Sequence, residues 1–94
     1  MDLYLQDKVV IVTGGGSGIG GAISQLLAQE GAIPVIVSNA EPEAQFMAQL
    51  HRHQPDSLFI LADLCQEAEC DSAVTQTLTR FGRIDGLVNN AGVN

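Results

Sequence analysis

The sequence predicts an α/β fold, a doubly wound parallel sheet, and three observations carry that prediction. Short aliphatic and β-branched runs alternate with longer amphipathic stretches in the order β-α-β-α-β-α-β. The short runs are nearly continuous in apolar residues, as strands buried on both faces are. A glycine cluster occupies the first strand-to-helix turn. Strands alternating with helices imply parallel pairing through crossovers, with helices on both faces of the sheet. The plain alternative is an α/β domain of the same layout with no ligand.

The first strand is expected over 8–12, where Val9, Val10, Ile11 and Val12 are consecutive. A helix begins near Gly18, with Ile19, Ala22, Ile23, Leu26 and Leu27 spaced as one apolar face. Gly31 stops it. The second strand covers 33–37 and contains Pro34, which lacks the N–H a central strand uses. Pro34 must therefore be the strand's first residue or face an unpaired position. A second helix is expected over 41–52, with Pro42 in its first turn and Ala44, Met47, Ala48 and His51 as a weak stripe beside Leu50. The third strand covers 58–62. Cys70, Ala73, Val74, Thr77, Leu78 and Phe81 trace the third helix, which Gly82 ends, and Ile84 with Leu87 and Val88 supply a short fourth strand.

Composition bounds the function. Ninety-four residues make at most one small domain. Four Lys and Arg against 11 Asp and Glu give a formal charge of −7, which argues against a nucleic-acid or anionic-membrane partner. A hydrophobic fraction of 46% argues against disorder. No apolar run approaches the ~18 residues of a membrane span. The opening residues carry no cationic segment followed by an apolar one, so no secretory signal is expected and a cytoplasmic protein is. Cys65 and Cys70 fit neither a metal pair nor a redox pair and read as ordinary, buried thiols. His51 and His53 are two apart, on different helix faces, and read as a solvated helix end rather than a metal pair.

The glycine cluster admits three readings. A Walker-type phosphate loop needs Gly-Lys-Ser/Thr at its end, and no Lys is near. A literal G-x-G-x-x-G at Gly16, Gly18 and Gly21 starts late after the strand. The third reading, Thr13-Gly14-x-x-x-Gly18-x-Gly20, opens directly on the strand. In it Gly14 supplies a backbone angle closed to other residues, Gly18 admits a pyrophosphate, and Gly20 permits close helix–strand packing. The helix start presents free N–H groups and a positive dipole end to the anion, and Ser17 adds a hydroxyl. Two further islands follow in order. Asp63-Leu64 follows the third strand, where an Asp could also cap the next helix. Asn89-Asn90-Ala91-Gly92 follows the fourth, where it could be only a turn.

Together these motifs resemble the short-chain dehydrogenase/reductase family across nearly the whole chain. The opening residues 1–8, the stretch Gly31-Ala32-Ile33-Pro34 and the stretch Gly92-Val93-Asn94 are similar to bacterial L-fucose dehydrogenase-type members. The resemblance implies a Rossmann-type fold, here its β-α-β-α-β-α-β half. It implies NAD or NADP binding through Gly14, Ser17, Gly18, Ile19, Gly20, Ser38, Asn39, Asp63, Leu64, Asn90 and Gly92. It also implies hydride transfer between the nicotinamide and a small alcohol (a sugar among the options) or carbonyl substrate, in a homo-oligomeric full-length enzyme.

The position that selects between NAD and NADP falls on Ser38, with Asn39 next. An acid there would bond the ribose 2′-OH and repel a 2′-phosphate. Both residues are neutral donors, which leans to NADP, and Glu41 is expected to lie too far past the strand to reach. The family's catalytic Tyr and Lys, four apart after a Ser, have no counterpart. Tyr4-x-x-x-Lys8 has the spacing but precedes the first strand, on the wrong side of the glycine loop. The expected protein is thus the cofactor-binding front part, 1–94, of one NAD(P)-binding domain, inactive alone, with no catalytic residue and no metal site. The alternative is a non-catalytic dinucleotide-binding or interaction module, which would leave the fourth strand as an uncovered, partly apolar sheet edge.

Overall fold

A computed structural model describes residues 4–14, 16 and 18–90. The elements run β1 (Val9–Thr13), α1 (Gly18–Gln29), β2 (Ile33–Ser38), α2 (Ala44–His53), β3 (Leu58–Leu61), α3 (Glu67–Phe81) and β4 (Gly86–Asn89). The sheet order is β3-β2-β1-β4, and every pairing is parallel. The chain winds outward from β1 to β3 and then returns to the other side of β1 to lay down β4. This is the Rossmann-type doubly wound half expected from the sequence, with a switch of direction at the C-terminal ends of β1 and β4.

Alternate strand residues feed two cores. Val9, Ile11, Val35, Val37 and Ile60 pack with Ala73 of α3 on one face, with Phe81 and Ile84 closing over them. Ile36 packs with Ala28 of α1 and Leu50 of α2 on the other, with Phe46, Met47 and Phe59 around them. Among the described residues no helix is long and apolar enough to cross a membrane.

Pro34 lies inside β2, an internal strand, and is compatible with it for a geometric reason. Ile33 donates its N–H to Lys8 O of the β1 side at 2.7 Å. Successive N–H groups alternate in direction, so the missing N–H of Pro34 falls on the β3 side. The β2–β3 register begins only at Val35↔Leu58, one residue later. Pro34 thus faces the unpaired position that its chemistry requires.

The helices correct the expected faces. On α1 the buried residues are Gly20, Gly21, Ser24 and Ala28, and not the large apolar ones. Ile19 is 74% exposed and Leu26 is 55% exposed. The small residues let the helix axis come close to the sheet, and Ser24 satisfies its hydroxyl on Gly20 O at 2.9 Å. Alpha-2 starts at Ala44, so Pro42 stands ahead of the helix rather than in its first turn. Leu50, with Phe46 and Met47 half-buried beside it, forms the α2 contact, while Ala44, Ala48 and His51 are exposed. His51 Nε2 nonetheless reaches Ser57 O at 2.8 Å. On α3, Ala73 and Thr77 are buried, whereas Val74 and Leu78 are exposed. Cys65 is exposed and Cys70 half-buried, so only the second behaves as an apolar filler.

The N-terminal end of the sheet is fastened by Asp85. Its Oδ2 accepts the Val9 N–H at 2.8 Å, its Oδ1 accepts from Arg83 at 2.6 Å, and its own N–H donates to Val9 O at 2.7 Å. The Arg83 hydrogen bond first, and the Val9 N–H second, hold the Asp85 carboxyl below its ordinary value of 3.8.

Two predictions follow from this packing. Leu50 has no exposed surface, so Leu50→Ala should cost about 2–5 kcal/mol, read from the urea midpoint. For Asp85 the folded-state value is lowered, so its stabilisation is complete above the unfolded-state value of about 4 and is lost as pH falls through the depressed folded value. Asp85→Asn should therefore lower the urea midpoint at pH 7, and that difference should shrink progressively as pH falls below about 4. A difference that stays constant across this range would contradict the linkage.

Candidate functional site

The C-terminal ends of the strands carry the site. Beta-1 delivers the chain into the glycine turn at Thr13, and Gly14 leaves the strand at φ 67° with its N–H on Val37 O at 2.9 Å. That left-handed conformation is open to glycine and costly for a residue with a Cβ. Thr13 Oγ1 accepts the Asn90 N–H at 3.0 Å and lies 3.0 Å from Asn89 Oδ1 and 3.3 Å from Val88 O. Asn90 Nδ2 in turn reaches Gly14 O at 3.4 Å. The end of β4 is thereby tied to the turn after β1.

Gly20 is where α1 meets this knot. A Cβ at Gly20 would overlap Gly14 O and stand 2.6 Å from Asn90 Nδ2. Gly18 opens the helix at φ 57°, and a Cβ there would meet nothing within 4 Å. The two glycines therefore have opposite surroundings, packed protein at Gly20 and open space at Gly18. Gly18 also begins the first turn of α1, and the N–H groups of a helix's first turn have no partner within the helix, an arrangement that can hold an anion.

The structure brings most of the sequence-predicted residues together. Gly14, Ser38, Asn39, Asp63 and Leu64 line one groove of about 750 Å³, together with Ile11 of β1, Ala73 and Val74 of α3, and Leu87 of β4. Asp63 does not cap α3. Its Oδ1 accepts the Cys65 N–H at 2.9 Å, its N–H donates to Glu69 Oε1 at 2.7 Å, and Gln66 occupies the N-cap position. The carboxylate is thus held in a tight local turn beside the groove. Ser38 Oγ accepts the Ala40 N–H at 3.3 Å, and Ser38 O accepts Ala62 N–H at 2.9 Å. Ile19 follows Gly18 with its side chain turned to solvent, so only its backbone faces the turn. Ser17 and Gly92 lie outside the described residues.

A second cavity of about 400 Å³ adjoins the first and was not foreseen. Gly14, Gly16 and Ser38 line it together with Glu41, Glu43 and Phe46. Glu41, expected to lie out of reach, is therefore part of the site's wall. Its approach depends on Pro42 packing onto the loop, since a Cβ on Gly16 would stand 3.0 Å from Pro42 Cγ. Nothing in apolar periodicity reports such a loop-to-loop contact. Among the described residues no Lys or Arg lines either cavity. Tyr4 and Lys8 stand at the opposite, N-terminal end of β1, about 16 Å away along a five-residue strand. Among the described residues no group of three or more His, Cys, Asp or Glu could hold a metal ion.

Comparison with known proteins agrees with this geometry. Levodione reductase of Leifsonia aquatica is 48% identical over 91 residues, which span 93% of this chain and 34% of the reductase. L-fucose dehydrogenase of Bos taurus is 42% identical over 85 residues, 90% of this chain and 30% of that protein. The crystal structure of NADH-dependent reductase A1-R′ complexed with NAD is similar at a TM-score of 0.89 and 36% identity, over 99% of this chain and 39% of that one. The chain spans about a quarter to a third of the length of the curated relatives it matches. A family model described as short chain dehydrogenase matches residues 8–94, and the chain belongs to that family.

Proposed function

We propose that residues 1–94 form the N-terminal, dinucleotide-binding part of one NAD(P)-binding domain. In that domain hydride passes between the nicotinamide and an alcohol or carbonyl substrate. The observation that carries this reading is the turn between β1 and α1. It has packed protein behind Gly20 and open space in front of Gly18. A pyrophosphate placed there meets helix N–H groups and no side-chain barrier. Gly14, Ser17, Gly18, Ile19 and Gly20 would hold the pyrophosphate. Ser38 and Asn39 would hold the adenosine ribose, Asp63 and Leu64 the adenine, and Asn90 and Gly92 the nicotinamide side. The groove through Ser38, Asn39, Asp63 and Leu64 supports this division, because it begins at the loop and leads away along the strand ends. When bound, the nicotinamide supplies the hydride acceptor or donor, and this chain's residues fix its position.

The acid/base chemistry falls to residues of the parent enzyme outside this chain. Exposed apolar side chains support further packing: Ile19 and Leu26 on α1, Val74 and Leu78 on α3, and Leu87 on β4. A sugar alcohol is one substrate class, by likeness to L-fucose dehydrogenase. The parent is proposed to be a cytoplasmic homo-oligomer.

Calorimetric titration with NAD and NADP tests the reading. The chain should bind at least one of them without catalysing turnover of any alcohol. Gly18→Val should weaken binding by roughly tenfold or more, because its side chain would project into the anion's space and a left-handed φ of 57° is costly for a residue with a Cβ; circular dichroism and the urea midpoint show whether the fold survives the change. A folded chain that binds neither nucleotide would favour an interaction module instead.

A further inference from the structure

The second cavity gives the site an acidic wall, and resting on the dinucleotide reading above, we propose that Glu41 and Glu43 make it selective for NAD over NADP. These residues lie three and five positions past Ser38, where the selecting acid is expected. The fold returns them to the site. Ser38 Oγ accepts the Ala40 N–H, turning the chain as it leaves β2. Pro42, between the two acids, then packs against the glycine loop at Gly16. Both carboxyl-bearing residues consequently share one cavity with Gly14, Gly16 and Ser38.

The charges around that cavity decide its preference. A phosphate monoester carries about −1.5 to −2 at pH 7. Among the described residues, the groups near the cavity able to receive a phosphate are the hydroxyl of Ser38 and the N-terminus of α2, with the amide of Asn39 on the adjoining groove. A helix end is worth roughly half a positive charge, against two full carboxylates. Among the described residues neither Glu41 nor Glu43 is ion-paired, since the salt bridges join Arg80 to Asp56 and Arg83 to Asp85. Arg52 stands at the far end of α2, about 12 Å along the helix from Ala44. A 2′-phosphate here would add like charge beside two uncompensated acids, whereas a 2′-hydroxyl is neutral and can donate to either. The neutral pair Ser38 and Asn39, which leaned to NADP in the sequence, is outweighed by acids that only the fold brings near.

The test is calorimetric titration of the 94-residue chain and its E41Q/E43Q variant with NAD and with NADP at low salt. Both glutamates are exposed, so the variant should fold, and circular dichroism checks this. The wild-type chain should bind NAD at least roughly tenfold tighter than NADP, and E41Q/E43Q should narrow that ratio about tenfold, chiefly by tightening NADP. Raising the ionic strength should narrow the wild-type ratio in the same direction. NADP binding equal to or tighter than NAD, or a ratio unchanged in E41Q/E43Q, overturns the selection while leaving dinucleotide binding intact. A folded chain that binds neither overturns both, and the NAD arm of the same titration separates the two failures.

Discussion

The arrangement at the top of the sheet depends on how closely α1 descends onto the β1 turn. At Gly20 the helix touches Gly14 O and the Asn90 amide with no room for a methyl group. That approach sets the first turn of the helix against the loop that follows β1. It also places Asn90 so that β4, β1 and the loop share one hydrogen-bonded knot through Thr13. A side chain at Gly20 would lift the helix off the turn and move its positive end away from any anion. The glycine loop is thus a packing constraint first, and its value as an anion cradle follows from that packing.

The same constraint explains where the sequence was readable and where it misled. Strands were legible because residues buried on both faces leave continuous apolar runs, and Val9 to Val12 and Val35 to Val37 are such runs. Even Pro34 was readable, since a missing N–H has only a few permissible places. The inward face of α1 was not. Amphipathic periodicity assumes that the largest apolar residues point inward. Here close approach selects Gly20, Gly21, Ser24 and Ala28 instead, and Ile19 and Leu26 turn outward. Alpha-2 was read in part: Met47 and Leu50 do face the core, but Phe46 joins them there while Ala44, Ala48 and His51 are exposed.

The site divides in the same way. Thr13-Gly14, Asp63 and Asn90 were legible because each sits at the C-terminal end of a strand, where a doubly wound sheet gathers its functional residues whatever loops follow. The wall made by Glu41, Pro42 and Glu43 was not legible. Its position depends on one irregular contact between Pro42 and Gly16, and that contact has no period, cap or turn signature. Distance along the chain past Ser38 was a poor guide to distance in space, because the segment doubles back as soon as it leaves β2.

The chain's negative charge then takes on a structural sense. A formal charge of −7 sets an unfavourable background for any dinucleotide. No Lys or Arg lines the described walls of the two cavities, so attraction rests on oriented backbone N–H groups, which act over short range and lose strength beyond the first turn of the helix. On the proposed reading, such a site holds a pyrophosphate seated directly on the helix end. Among the described residues it has no comparable means of holding a second anionic group at the cavity wall, where Glu41 and Glu43 stand. Local attraction set against a diffuse repulsion therefore discriminates by position, admitting negative charge at the glycine turn and opposing it beyond β2. On the proposed reading, the nicotinamide cofactor that satisfies both conditions is the one whose adenosine ribose carries a free hydroxyl.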